Sequence, residues 1–151
     1  MRKYGSLILF LLVTLGGGSL IGFFVRPGEW YAALEKPWFN PPDWVFGPVW
    51  SVLYAMIAAA GWLVWRRDPT SPAMRVWIVQ LILNFAWTPI FFGAHMIGLA
   101  LIIIVALLVA IAAFIALARE RDPVAALLFM PYALWVGYAS ALTAAILVLN
   151  R

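Results

Sequence analysis

The chain has 151 residues, 66% of them hydrophobic and only 11% charged, with a mean hydropathy of +1.01; soluble domains are roughly 45–50% apolar, so a soluble enzyme and a disordered chain are both excluded. The net charge of +4 does not indicate nucleic acid, because the basic residues stand singly or in pairs between apolar runs rather than in one patch. Cysteine is absent, which excludes a disulfide framework, a thiolate metal site and a cysteine nucleophile.

A membrane helix needs about 20 apolar residues, and five stretches qualify: 5–25, 46–65, 74–94, 97–118 and 124–149. Only Arg75, at the edge of the third, is charged; no charge falls near the centre of any of them, where one would cost roughly 2.5–3.5 kcal/mol. The pattern predicts an all-α membrane protein, a five-transmembrane-helix bundle forming one domain over residues 1–151, with a long structured loop between helices 1 and 2. Arg2 and Lys3 before the first span are compatible with a signal peptide. However, the apolar run continues through Phe23, Phe24 and Val25 and no A-x-A site follows, so a retained helix is expected. Gly18 and Gly22 on this span form a small-xxx-small pair suited to close helix packing, within the chain first and in a homodimer second.

The first connection, residues 26–45, is long, aromatic and proline-rich. Pro27 and Glu29 suit a helix start, Trp30 and Leu34 share a face, and Pro37 stops the helix after Lys36. Pro41-Pro42 favours an extended segment, and Asp43 can cap the second span. Two roles stay open for the aromatic residues here: an interfacial belt or a lid over a cavity. The other connections are short, which makes sequential helices antiparallel neighbours. Counting Lys and Arg gives seven on the side of Arg2, Lys3, Arg66, Arg67, Arg75, Arg119 and Arg121, against three (Arg26, Lys36, Arg151) on the other. The N-terminus is therefore expected in the cytoplasm, with the first loop and the C-terminus outside.

Within the spans, Trp77, Gln80, Asn84 and Trp87 recur at i, i+3, i+7 and i+10, so they form one helix face. Gln80 and Asn84 need partners that lipid does not offer; interhelical bonding and a polar anchor in a pocket are the two candidate roles. Trp50 and Tyr54 are four apart on the second span, and Tyr132, Trp135, Ala139 and Leu142 follow the same helical spacing on the fifth. Depth places these groups beneath the long loop. If they face inward, an apolar cavity between spans two, three and five is expected, suited to a flat aromatic ligand. Pro89 and Pro131 are expected to bend spans three and five. The fourth span has no polar face and is expected to meet lipid or a second subunit. His95, the only histidine, is expected in an exterior turn. No metal-ligand spacing, P-loop, dinucleotide fingerprint or serine triad occurs.

The segment Trp30-Tyr31-x-x-Leu34-x-Lys36-Pro37-Trp38-Phe39-x-Pro41-Pro42-x-Trp44-x-Phe46-x-Pro48-Val49-Trp50 strongly resembles the signature of the TspO/translocator protein family, also called tryptophan-rich sensory proteins or peripheral-type benzodiazepine receptors. Gln80-Leu-x-Leu-Asn84-x-x-Trp87-x-Pro89-Ile-Phe-Phe-Gly93 and Pro131-Tyr132-x-x-Trp135 are similar to its third- and fifth-helix motifs. The resemblance implies a membrane receptor or sensor that binds porphyrins such as protoporphyrin IX and haem, and hydrophobic drug-like ligands, with transport as a further role. It implies a ligand-binding pocket in the outer half, roofed by the first loop, with Trp38, Phe46, Trp50, Tyr54, Asn84, Trp87, Tyr132, Trp135, Ala139 and Leu142 as candidate residues. No cofactor beyond the porphyrin ligand and no metal is implied. Trp50 and Trp135 match the tryptophans linked in the family to porphyrin breakdown, so photo-oxidative porphyrin degradation through them is the enzyme alternative; a scaffold with a filled interior is the third. Ala144 and Val148 stand where animal members carry a sterol-recognition Tyr and Arg, which speaks against cholesterol. Arg75 and Val79 replace a third-helix GxxxG, so dimerisation through that motif is not expected.

Overall fold

A computed structural model describes residues 2–25 and 28–151, without the side chains of residues 2, 3 and 43. The expected helix start at Pro27 and the expected cap by the Asp43 side chain lie outside what is described. Among the described residues every regular element is helical: α1 (Arg2–Leu11), α2 (Gly17–Phe24), α3 (Gly28–Ala33), α4 (Asp43–Arg67), α5 (Pro72–Thr88), α6 (Ile97–Ala118) and α7 (Pro123–Leu149). Two π-helical turns interrupt them, Leu12–Gly16 joining α1 to α2 and Pro89–Gly93 extending α5. Five helical stretches are long and apolar enough to cross a membrane: Tyr4–Phe24, Trp44–Arg67, Pro72–Gly93, Ile97–Ala118 and Pro123–Leu149. These agree with the expected spans to within a few residues. The chain is thus a five-span integral membrane protein.

The spans form a ring in the order one, two, five, four, three, with the first span closing it between the second and third. The fourth span is more than a lipid-facing helix. Ala100, Ile104, Leu107, Ile111, Phe114 and Ala118, spaced alternately four and three apart, are buried on one face, and α6 packs on α5 and α7. Its other face, with Ile102 67% exposed, is left for lipid. A uniformly apolar helix gives no sequence signal for which side is which. The inner core packs Phe114 against Phe129, ring centroids 4.1 Å apart and planes tilted by 32°, and continues to Tyr132. A second cluster sits beneath the loop, around Tyr31, Phe91, Leu142 and Ile146.

The prolines act locally. Pro89 has no N–H to continue α5, and the chain shifts to wider i to i−5 bonding, with the Ala94 N–H on the Pro89 carbonyl at 2.8 Å. α7, by contrast, continues as one helix through Pro131. Pro72 at the first turn of α5 is preceded by Ser71, whose Oγ accepts the Met74 N–H at 3.2 Å, a standard N-cap.

The first span is held unevenly. Its N-terminal half is pinned: the Trp62 indole N–H donates to Ser6 Oγ (2.9 Å), Phe10 packs edge-on to Trp77 (5.2 Å), and Thr14 in the π turn donates to the Tyr54 carbonyl (3.0 Å). Its C-terminal half, α2, buries no residue. Of the expected small pair only Gly18 makes the close approach, since a Cβ there would lie 2.3 Å from the Tyr54 ring. Its neighbour Gly17 does the same against Phe85, whereas Gly22 faces open space.

The loop is ordered by contacts to the far end of the chain. α3 ends at Ala33, three residues before the expected stop, and the Lys36 ammonium caps this end, donating to the carbonyls of Ala32 (3.3 Å) and Leu34 (3.2 Å) and lying over the Tyr31 ring at 4.7 Å. The Asn150 side chain clasps the Glu35 backbone at both its N–H (2.9 Å) and its carbonyl (2.8 Å). Tyr138 donates its hydroxyl proton to the Phe39 carbonyl. His95 sits in the expected turn at φ +60° and stacks on Trp30, centroids 4.0 Å apart. The loop and the C-terminus therefore share one end of the bundle, and the Arg67–Asp122 ion pair (2.9 Å) marks the other.

Candidate functional site

Beneath the loop lies a chamber of about 390 Å³, within the roughly 300–1,000 Å³ usual for small-molecule sites. The first span forms one wall with Leu15, Gly18, Ser19, Ile21, Gly22 and Val25. α4 contributes Phe46, Gly47, Trp50, Ser51 and Tyr54, and α5 with its π extension contributes Asn84, Phe85, Trp87, Thr88 and Phe92. Tyr31 of α3 reaches in from the roof. A side compartment of about 30 Å³ lies next to it, behind Tyr31, Phe46, Trp50, Trp87 and Phe92, which line both spaces. Its back wall is α7, with Trp135, Ala139, Leu142, Thr143 and Ile146. No described residue lining either space is charged.

The open volume is displaced from where the helical faces predicted it. Spans two, three and five do converge, but their aromatic rings fill the junction. Trp135 packs edge-on to Trp50 (6.5 Å) and Phe46 (5.9 Å), and stacks on Tyr138 (5.6 Å). The larger hollow opens instead between spans one, two and three, where the first span presents glycine and serine. Sequence reasoning missed these first-span residues; the signal was the run Gly16-Gly17-Gly18-Ser19 with Gly22 inside an otherwise bulky apolar stretch.

Phe46, Trp50, Tyr54, Asn84 and Trp87 line the chamber as expected, and Trp135, Ala139 and Leu142 line the side compartment. Two candidates lie elsewhere. Tyr132 is fully buried and lines neither space. Trp38 is 94% exposed and turned away from both, its ring edge-on to Phe39 alone among the ring contacts found (5.6 Å). It and Trp44, 74% exposed, stand on the surface, while Tyr31 and Phe39 of the same loop pack inward. The loop thus divides its aromatic residues between an exposed set and a set packed against the bundle.

The polar groups of the floor form a directed chain. Tyr54 donates its hydroxyl proton to Asn84 Oδ1 (2.8 Å), Asn84 Nδ2 donates to Tyr132 Oη (2.6 Å), and Tyr132 donates to Gln80 Oε1 (2.7 Å). Gln80 thus serves as interhelical glue, joining spans three and five. Asn84 takes both of its expected roles, since it bonds across helices and also faces the chamber. Among the described residues, three buried side-chain nitrogens have no hydrogen-bond partner: Gln80 Nε2, Trp87 Nε1 and Trp135 Nε1. Among the described residues no three His, Asp or Glu side chains gather where a metal ion could sit. The arrangement suits an apolar guest with a flat face, oriented by a few hydrogen bonds.

A profile of the TspO/MBR family matches residues 9–149. Over 150 residues the chain is 34% identical to the tryptophan-rich sensory protein of Cereibacter sphaeroides, covering 99% of this chain and 95% of that one. Over 133 residues it is 37% identical to the translocator protein of Homo sapiens, covering 83% and 79%. Over 151 residues it is 34% identical to protein CrtK of Rhodobacter capsulatus, covering 96% and 94%.

Proposed function

The chain belongs to the TspO/MBR family, and from that premise we propose that it is a membrane receptor for porphyrins and related flat tetrapyrroles. The observation that carries this reading is the uncharged chamber of about 390 Å³, walled by Trp50, Tyr54, Phe85, Trp87 and Phe92 with Asn84 as a polar anchor. Aromatic contacts contribute about 0.5–1.5 kcal/mol each beyond area burial, so a ring held by several of them binds without any ion pair. Relatives named as a sensory protein and as a translocator are consistent with a protein that recognises a small molecule in the membrane. The seven-to-three split of Lys and Arg supports a cytoplasmic N-terminus, with the chamber toward the outer leaflet.

Titration of protoporphyrin IX into the reconstituted protein, followed by tryptophan fluorescence, tests the reading. Saturable quenching is expected, and Trp50→Phe should weaken binding about fivefold, the equivalent of roughly 1 kcal/mol. Linear, non-saturating quenching, or an affinity unchanged from the unmodified protein when Trp50 and Trp135 are both replaced by Phe, would refute it.

A further inference from the structure

Four residues that line the chamber are also exposed: Ser19 and Gly22 on α2, and Gly47 and Ser51 on α4. A Cβ at Gly22 or at Gly47 would meet nothing within 4 Å. α2 meets α4 where Gly18 lies against the Tyr54 ring, and it leans on span three, with Gly17 against Phe85 and Val25 close to Gly93. The chamber is therefore open sideways on the loop side of the Gly18–Tyr54 contact, through a window framed by two glycines and two serines. Leu20 next to Ser19, Phe23 next to Gly22 and Val52 next to Ser51 are exposed apolar side chains, so in a bilayer hydrocarbon lies against the window.

We propose that this window is a lipid site: an acyl chain of a neighbouring membrane lipid enters between α2 and α4 and occupies the chamber until a flat guest displaces it. The chemistry inside favours hydrocarbon over water. Tyr54 and both amide atoms of Asn84 are paired within the floor chain, Ser51 donates to the Gly47 carbonyl of its own helix (2.9 Å), and Tyr31 donates to Asn40 Oδ1 (3.1 Å). An enclosed water needs about two to four polar partners, and these groups are already engaged. A chain needs none. It exchanges contact with other chains for contact with the rings of Trp50, Phe85 and Phe92, and it supplies partners to wall atoms that would otherwise face a void. No described residue lining the chamber is charged, so the lipid headgroup stays at the membrane surface and only the chain is recognised. The inference shares the chamber with the porphyrin reading and does not depend on a porphyrin.

Phosphatidylcholine carrying a diazirine midway along one acyl chain tests the site in the full-length protein reconstituted in vesicles. After illumination, peptide mass spectrometry locates the adducts. They are expected at Asn84 and Phe85 inside the chamber as well as at outward residues such as Ile102. Leucine at both rim glycines, Gly22→Leu with Gly47→Leu, fills open space and narrows the window. It should lower the chamber adducts about fivefold and leave those at Ile102 unchanged. Each single substitution should lower them about twofold, which decides the matter should the double variant fail to fold. Gly137→Leu is the control, since a Cβ there also meets nothing within 4 Å and the residue lines neither space; it should change nothing. Adducts confined to outward residues would overturn the proposal. So would chamber adducts that the narrowed window leaves unchanged, or that Gly137→Leu lowers equally. Saturating protoporphyrin IX should also suppress the chamber adducts about fivefold. Chamber adducts that obey the window, with no saturable binding of protoporphyrin IX, would uphold the lipid site and remove the porphyrin reading; saturable porphyrin binding without chamber adducts would do the reverse.

Discussion

Tyr132 illustrates how a residue that never meets the chamber governs its floor. Its hydroxyl accepts from Asn84 and donates to Gln80, so one oxygen fixes the direction of two amides on the neighbouring span. Removing it by Tyr132→Phe leaves Asn84 Nδ2 and Gln80 Oε1 both unpaired, at a cost of about 1–2 kcal/mol. Tyr54→Phe at the other end leaves only Asn84 Oδ1 unpaired, and that atom belongs to a residue bordering open space. Thermal unfolding in detergent should therefore rank the two variants, with Tyr132→Phe the less stable. The i, i+3, i+7 spacing correctly gathered Tyr132 with Trp135 and Ala139 on one face. It could not tell that the ring at the deep end would be sealed by Phe129 (5.2 Å) while the shallower two lined a space. Periodicity gives direction around a helix, not depth of packing.

At the scale of elements, the two sides of the roof are unlike. The loop is tied to α7 by the Asn150 clasp and the Tyr138 hydroxyl, whereas α2 beneath its other side buries nothing. Asn150→Ala should free the backbone at Glu35, and limited proteolysis of the reconstituted protein should then cut the loop near Lys36 several-fold faster while the spans stay protected. Unchanged cleavage would mean that the clasp does not hold the loop. The loop's order was legible in its prolines and aromatics, which stiffen a chain and give it surface to bury. The clasp was not, since its partners are 115 positions apart and an asparagine near a chain end carries no local signal. The π turn at Pro89 was half legible: proline dictates a broken bond, but the choice between a kink and a wider turn depends on the surroundings.

For the whole molecule, span number and length followed from hydropathy alone, because an uninterrupted apolar run has few alternatives in a bilayer. The lateral order of the spans did not, because five apolar helices are nearly interchangeable to that measure; small residues and interhelical polar bonds decide which faces meet. That is why the hollow was expected one span away from where it lies. The transmembrane sense is checkable in a direct way, since the chain has no cysteine. Single cysteines at Lys36 and at Arg121 should label with a membrane-impermeant maleimide from opposite sides of intact cells. Lys36→Cys should react from outside and Arg121→Cys only after permeabilisation; the reverse pattern would invert the assignment.

Because α2 buries none of its residues yet forms a wall of the chamber, that wall is one helix thick, with hydrocarbon on its far side. A guest crossing there has already exchanged water for the leaflet. Its oil–water partition then enters the apparent dissociation constant before any protein atom is touched, and the contacts inside supply only the remainder.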